Sequence, residues 1–399
     1  MFVDELMKML EERKDEMIAI RRHLHENAEP SFQEVETAKY IAAFYEGKDV
    51  KIDKEIGGKH GIVVTIKGGK PGKTIGLRAD FDALPLKEET GLPFASKNEG
   101  AMHACGHDGH TAYLMVLADC LIKLKDQLSG TVKIIHQNAE EMAPGGAKDI
   151  VASGVLNDLD YVFGIHFLPN GSAGTVGWHK GYTFTGRSYM KLKIKGMGGH
   201  GSSPHLANDA IVAGAYFVTE AQTVISRRLN PFDVGVITIG SFDGKGQFNI
   251  IKDSVELEGD IRCMSDNARE IVDKELHNLV AGLERGYGVT CDFTYKNDYP
   301  PLYNDEIVTD EVVKILEKAK ARDKDIKEVK EFPAQAPSED FSYYNNICKG
   351  CYFFIAATPK GVEKPAYNHS PNFDIDEDAI LVAAKAVGYV LLGMSGEEI

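Results

Sequence analysis

Tryptophan is almost absent from this chain, with Trp178 the single copy, and no uninterrupted apolar run approaches the roughly 18 residues that span a bilayer. The opening segment, MFVDELMKMLEERKDEM, is heavily charged. It lacks the apolar core and small-residue cleavage site of a secretory leader. These absences predict a soluble, cytoplasmic protein without a membrane partner. Cysteine is also sparse: Cys105, Cys120, Cys263, Cys291, Cys348 and Cys351 are scattered through 399 residues, unlike the dense framework of small secreted domains. Reduced thiols are expected. Positive charge is in deficit, 45 Lys and Arg against 60 Asp and Glu, for a formal net charge of −15. A field of that sign opposes phosphate backbones and anionic lipid, so nucleic acid is not an expected partner. There is no internal repeat at a fixed period, and no Gly/Ser-rich or Pro-rich linker.

What is present is enough chain for two packed cores, since single cores stop growing at about 250 to 300 residues. GIVVTI (61–66), TIGLRAD (74–80), TVKIIHQ (131–137) and YVFGIHF (161–167) have the apolar, β-branched character of buried strands. Helical patterns over 109–128 and 147–156 lie between them. This alternation predicts an α/β layer sandwich with a parallel or mixed sheet. After Phe184 the texture changes to two helical stretches, 209–229 and another ending near Tyr287, among four strand-like runs. That order suits a small α+β domain inserted into the larger one. Turn formers in NDYPPLYND (297–305) mark the return. The expected division is 1–183 and 298–399 for the larger domain, with 184–297 as the insert.

The chemistry concentrates in AMHACGHDGHTA (101–112), where His103, Cys105, His107 and His110 fall within eight positions. Cys105 and His107, separated by one glycine, can point to one side of a looped segment, where a thiolate and an imidazole share an ion. The competing structural reading makes Cys105 a core residue and the histidines helix caps. Further ligands are expected at the carboxyl ends of strands, where sites form in open α/β sheets. TVKIIHQ runs into Asn138-Ala139-Glu140-Glu141, and YVFGIHF carries His166. Adjacent glutamates leave a strand toward opposite faces, so one can bind metal while its neighbour handles a proton. A solvated acidic loop is the alternative. In RADFDAL, a carboxylate of Asp80 or Asp82 could accept the second N–H of a ligating histidine, or simply cap a turn.

LRADFDALP, MHACGHDGHTA, QNAEE, GIHFLP, GGHGSSPH, FNIIKDSVELEGDIR, SEDFSYY and NHSPNFDIDEDAI occur in an order that resembles the amidohydrolase branch of the aminoacylase and carboxypeptidase family of two-metal peptidases. Hippurate hydrolase, plant indoleacetyl-amino-acid hydrolases and N-acetyldiaminopimelate deacetylase belong to that branch. The resemblance covers essentially the whole chain. It implies a zinc-peptidase-like three-layer α/β catalytic domain interrupted by a ferredoxin-like α+β lid through which subunits form a homodimer. Position by position, it implies metal ligands at Cys105, His107, Glu141, His166 and His369, with Glu140 as general base and Asp82 supporting the site from behind. His200 matches the lid histidine that stabilises an oxyanion in the partner's site. Asn249 and Arg262 match positions that hold the substrate's carboxylate end. Asn138, His136 and Pro337 stand where the family usually has Pro, Phe and Gly. Those departures bear on the acyl pocket, hence on the substrate more than on the reaction.

The implied activity is metal-dependent hydrolysis of an N-acyl amino acid, with two divalent ions, manganese by resemblance or zinc as the softer thiolate and imidazole donors suggest. A dipeptidase or carboxypeptidase is the nearest rival. Cys105 as the nucleophile of a thiol hydrolase is a second chemistry, and a non-catalytic metal or peptide binder is a third. A base at Glu140 argues against the binder. Lesser signals read structurally: CKGC (348–351) as a turn into a strand, His23 and His25 at a helix end, His205 on the lid, and His103 as support for the metal loop.

Overall fold

A computed structural model describes residues 2–56 and 60–399. It divides into two compact units, one made of residues up to Gly181 with Tyr303–Pro333 and Asp340–Ile399, the other of Tyr182–Leu302 and Ala334–Glu339. The smaller unit returns later than the turn formers at Asn297 suggest because Asn297 and Tyr299 still pair with Ser188 and Arg187 in a strand that runs Thr290–Tyr299. The short segment 334–339, which the sequence does not single out, joins that unit through backbone: Gln335 N–H donates to Thr183 O at 2.7 Å and the Thr185 hydroxyl to Ala336 O at 2.6 Å.

In the larger unit, eight strands form one mixed sheet in the order Lys51–Ile56, Gly61–Lys67, Ser129–Gln137, Lys70–Asp80, Tyr161–Leu168, Lys349–Ala356, Thr175–Trp178 and Glu328–Glu331. The four strands from Ser129–Gln137 to Lys349–Ala356 are mutually parallel. Their carboxyl ends therefore lie on one edge. Strands covered on both faces read as continuous apolar runs, and Val63, Val64, Leu77, Ile134, Val162 and Phe163 are all fully buried. The helix expected over 109–128 spans His107–Lys123, and that expected over 147–156 spans Gly146–Ala152 and ends ahead of Gly154, whose φ is +77°. Asp378–Met394, buried along nearly its whole length, packs against the His107–Lys123 helix.

The smaller unit follows the chain order strand, helix, strand, strand, helix, strand. Its sheet runs Gly235–Asp243, Ser254–Cys263, Gly186–Lys195, Thr290–Tyr299, with every neighbour antiparallel. Strands Gly186–Lys195 and Ser254–Cys263 alternate strictly between buried and half-buried residues, the signature of a sheet with one face on a core. Helices Ala210–Arg228 and Asp266–Tyr287 supply that core, each opened by a side-chain cap from Asp209 or Ser265. This is the ferredoxin-like order.

Candidate metal centre and active site

The parallel strands deliver the chemistry to one edge of the sheet. Ser129–Gln137 runs into Glu140 and Glu141, Tyr161–Leu168 places His166, and Lys70–Asp80 ends two residues before Asp82. His107 is the first residue of its helix, because Gly106 takes the left-handed conformation (φ +88°) and turns the chain between Cys105 and His107. Gly109 is needed for a different reason: a Cβ there would meet Phe167 Cε2 at 2.8 Å. The glycines of CGHDGH thus let the loop enter the helix hard against Phe167.

Two of the resulting groups share Cys105. Cys105, His107 and His166 present ligand atoms to one another, as do Cys105, Glu141 and His369, so Cys105 belongs to both. Cys105 Sγ lies 3.4 Å from His166 Nε2, and His369 Nε2 lies 3.2 Å from Glu141 Oε2. In the two buried histidines of these groups, His107 and His166, the inner nitrogen is already committed. His107 Nδ1 faces Asp82 O at 3.0 Å and Asp82 Oδ1 at 3.2 Å, and His166 Nδ1 donates to Phe167 O at 2.7 Å. That fixes both rings with Nε2 toward the cluster. His107 Nε2 and Glu141 Oε1, 3.8 Å apart, are buried atoms without a hydrogen-bond partner. Orphaned donors of this kind, with a thiol and imidazoles around them, are what divalent cations satisfy. The residues therefore fit a metal centre.

His110, which the sequence leaves unassigned, is excluded as a ligand by its bonds. Phe167 N–H donates to its Nε2 at 3.1 Å, and its Nδ1 donates to Asp80 Oδ1 at 2.6 Å. Asp80 in turn pairs with buried Arg78 at 2.6 Å, and Arg78 reaches Asp340 at 3.0 Å. Asp80 and Asp82 thus divide the work, one holding His110 and the other His107. His103 is buried, and burial pulls its pKa to about 4, so it stays neutral. It joins none of the ligand clusters among the described residues. His25, read as a helix-end residue, is buried and bonded to Asp108 Oδ2 at 2.7 Å. Sequence reading missed Ser31, whose hydroxyl donates to Asp82 Oδ2 at 2.7 Å; Asp82 Oδ2 also accepts the Glu141 N–H at 3.0 Å. A single carboxylate therefore fixes one candidate ligand by its ring and another by its backbone.

Glu140 is buried, and one of its carboxylate oxygens groups with His107 and Glu141 ligand atoms. Cys105 is a poor nucleophile here. Burial and the charge of Glu141 hold its thiol above the ordinary value, whereas a reactive cysteine needs a lowered one.

His200, Asn249 and Arg262 lie in the smaller unit. His200 and Asn249 are neighbours there: His200 pairs with Ile250, and Gly201 N–H donates to Asn249 O at 2.8 Å. Ser202 N–H donates to His200 Nδ1 at 3.2 Å, which leaves the proton of a neutral ring on Nε2, directed away as a donor. Arg262 bonds Asp260 at 2.8 Å and Ser338 at 3.2 Å. Cys348 and Cys351 are unpaired thiols, with Cys351 inside the Lys349–Ala356 strand.

Residues 76–392 match the family model of peptidase family M20/M25/M40. The chain belongs to that family. Among curated relatives, N-acetyldiaminopimelate deacetylase of Listeria innocua is 37% identical over 92% of this chain and 96% of its own. Thermostable carboxypeptidase 2 of Saccharolobus solfataricus is 36% identical over 99% of both. Among solved structures, a chain from methicillin-resistant Staphylococcus aureus is 52% identical with a TM-score of 0.92, covering 98% of this chain and 99% of that one. The Bacillus subtilis YxeP protein, described as a dinuclear metal binding peptidase, is 31% identical with a TM-score of 0.82, covering 97% of this chain and 100% of that one.

Proposed function

We propose that this member of the family hydrolyses the amide bond of N-acyl amino acids, with two divalent cations held by Cys105, His107, Glu141, His166 and His369. The observation that carries the reading is the buried donor set with Glu140 against it: a carboxylate in reach of the ligand atoms of His107 and Glu141. A pair of divalent cations supplies Lewis acidity there, acidifying water and polarising an amide carbonyl. Glu140 takes the proton from the attacking water and delivers it to the departing nitrogen. Asp82 keeps His107 oriented. Across the proposed dimer His200 offers its Nε2–H to the developing oxyanion in the partner's site, and the resemblance gives Asn249 and Arg262 the substrate carboxylate. The resemblance favours manganese, with zinc second on the strength of the thiol and imidazole donors.

The chain is proposed to act in the cytoplasm as a homodimer joined through the smaller unit. Val234 and Val236 are exposed at the edge strand of that sheet, Phe232 is 94% exposed beside it, and Ile211, Val212 and Tyr216 are exposed on the Ala210–Arg228 helix. Exposed apolar side chains on an edge strand and on a helix of the same unit support an interface there.

The test is hydrolysis of hippurate, N-acetyl amino acids, indoleacetyl-alanine and two dipeptides by metal-stripped protein, before and after adding manganese or zinc. Activity restored by metal on an N-acyl substrate supports the proposal and names the acyl group. Restoration on the dipeptides alone makes the chain a peptidase, the reading that the carboxypeptidase relative favours. Activity that survives chelation removes the metal mechanism.

A further inference from the structure

Glu34 lies far from the metal-ligand motifs in sequence. Its backbone opens the Val35–Tyr45 helix, yet its side chain makes no cap bond there. Instead Glu34 Oε1 accepts the N–H of Ala139 at 2.8 Å. Glu34 is fully buried, forms no ion pair among the described residues, and its Oε2 has no hydrogen-bond partner. Ala139, itself fully buried, sits at φ +50°, a left-handed conformation sparsely populated by residues with a Cβ. Its carbonyl is held too, by Gly146 N–H at 3.1 Å. Two residues on, Asp82 Oδ2 accepts the Glu141 N–H at 3.0 Å. The amides on either side of Glu140 are therefore each gripped by a buried carboxylate from another part of the chain. A buried carboxyl without a cation is costly, and it persists here against the strained turn that aims two adjacent glutamates differently.

We propose that Glu34 is a positioning residue for Glu140: by accepting the Ala139 amide it locks the left-handed turn that directs the Glu140 carboxylate. This rests on the reading of Glu140 as the base. The carboxyl acts through its oxygen acceptor and not through charge, so glutamine, which keeps that oxygen, can replace it.

The test compares Glu34→Met, which keeps the length and removes the acceptor, with Glu34→Gln. Three quantities are read: kcat and KM on the substrate that wild type turns over, metal per chain, and deuterium uptake of the peptide containing Ala139. For E34M we expect kcat to fall about 100-fold, the scale of a misplaced catalytic group, with KM and metal content unchanged. Its Ala139 amide should exchange about tenfold faster, as a released hydrogen bond allows. E34Q should keep wild-type kcat and protection. Wild-type kcat in E34M, or equal damage in E34Q and E34M, overturns the proposal. If E34M does not fold, Glu34→Asp, one methylene short of the amide, takes its place and the same outcomes decide. Glu140→Gln is run alongside: a fully active E140Q refutes the base, and this role with it, whatever the exchange data show. An inactive E140Q with an unaffected E34M refutes Glu34 alone.

Discussion

Arg21 Nε donates to Asp108 Oδ2 at 2.8 Å, from a residue 87 positions earlier in the chain to the one that directly follows His107. The same guanidinium reaches Asp374 at 2.9 Å and Glu377 at 3.4 Å, in the loop that follows His369. One fully buried cation thus ties the segments that carry two candidate ligands. Removing one member of a buried ionic cluster strands the others, typically at about 3 to 5 kcal/mol. Arg21→Met should therefore lower the urea midpoint sharply, and Arg21→Lys, unable to serve three carboxylates from a planar fork, should recover only part. An unchanged midpoint in R21M would show that the cluster contributes nothing net.

Asp82 holds the ring of His107 and the backbone of Glu141 at once. Loss of such outer support typically costs 10 to 100-fold in metal affinity, roughly the expectation for Asp82→Ala in calorimetric titration of the metal-stripped protein. Ser31→Ala removes only one bond to Asp82 and should fall between that variant and wild type. Wild-type affinity in D82A would mean that the Asp82 carbonyl, also facing His107 Nδ1, suffices to orient the ring.

Glu140→Gln is nearly isosteric but cannot take a proton. Turnover should fall by about 10²- to 10⁴-fold, the usual worth of general acid–base catalysis, while metal content by mass spectrometry stays the same. Loss of metal along with activity would instead make Glu140 a ligand.

Much of the candidate site was legible because its candidate ligands cluster in short motifs at strand ends and at one helix start. AEE follows one apolar run and GIH lies within another, both readable as buried strands, and CGHDGH leads into an apolar helix. The supporting shell was not legible to the same degree. Ser31 and Glu34 reach Asp82 and Ala139 across more than fifty residues, and nothing local in PSFQE distinguishes them from a polar turn. The sequence places His25 at a helix end and does not single out Arg21. Their burial depends on how that helix packs against the one that begins at His107, a tertiary fact. The left-handed backbone of Ala139 and His369 was equally hidden, since neither is a residue type that announces it.

His200 is exposed, and its Nδ1 also lies 2.8 Å from the Ser202 hydroxyl. If its Nε2–H serves the oxyanion, His200→Ala should lower kcat by about 10²- to 10³-fold, the cost of losing one such donor, with metal content intact. Ser202→Ala keeps the backbone N–H that sets the tautomer and should cost far less. Steady-state kinetics of the two variants decides this, and a wild-type kcat in H200A removes the residue from the reaction.

His25 and Glu88 give the fold a pH signature of their own. Burial pushes the Glu88 carboxyl up, but hydrogen bonds from His25, the Ser96 N–H and the Thr90 hydroxyl outweigh it and hold the pKa at about 2, against an ordinary 4.5. Its contribution to stability is present above pH 4.5 and drains away as pH falls toward 2. His25 moves the other way. Burial lowers it, yet its bonds to Asp108 and Glu88 raise it above 6.5, so its contribution is complete below that pH and is lost on passing its folded value. Both contributions are whole only between 4.5 and 6.5. Urea midpoints of wild type should therefore fall below pH 4.5, and Glu88→Gln should flatten that acid limb and, by removing one of the two carboxylates that raise His25, weaken the alkaline limb while Asp108 keeps part of it. Parallel acid limbs in wild type and E88Q would place the acid sensitivity in other carboxylates, with Asp108, held far below its usual range by Arg21 and His25 despite its burial, the next to substitute.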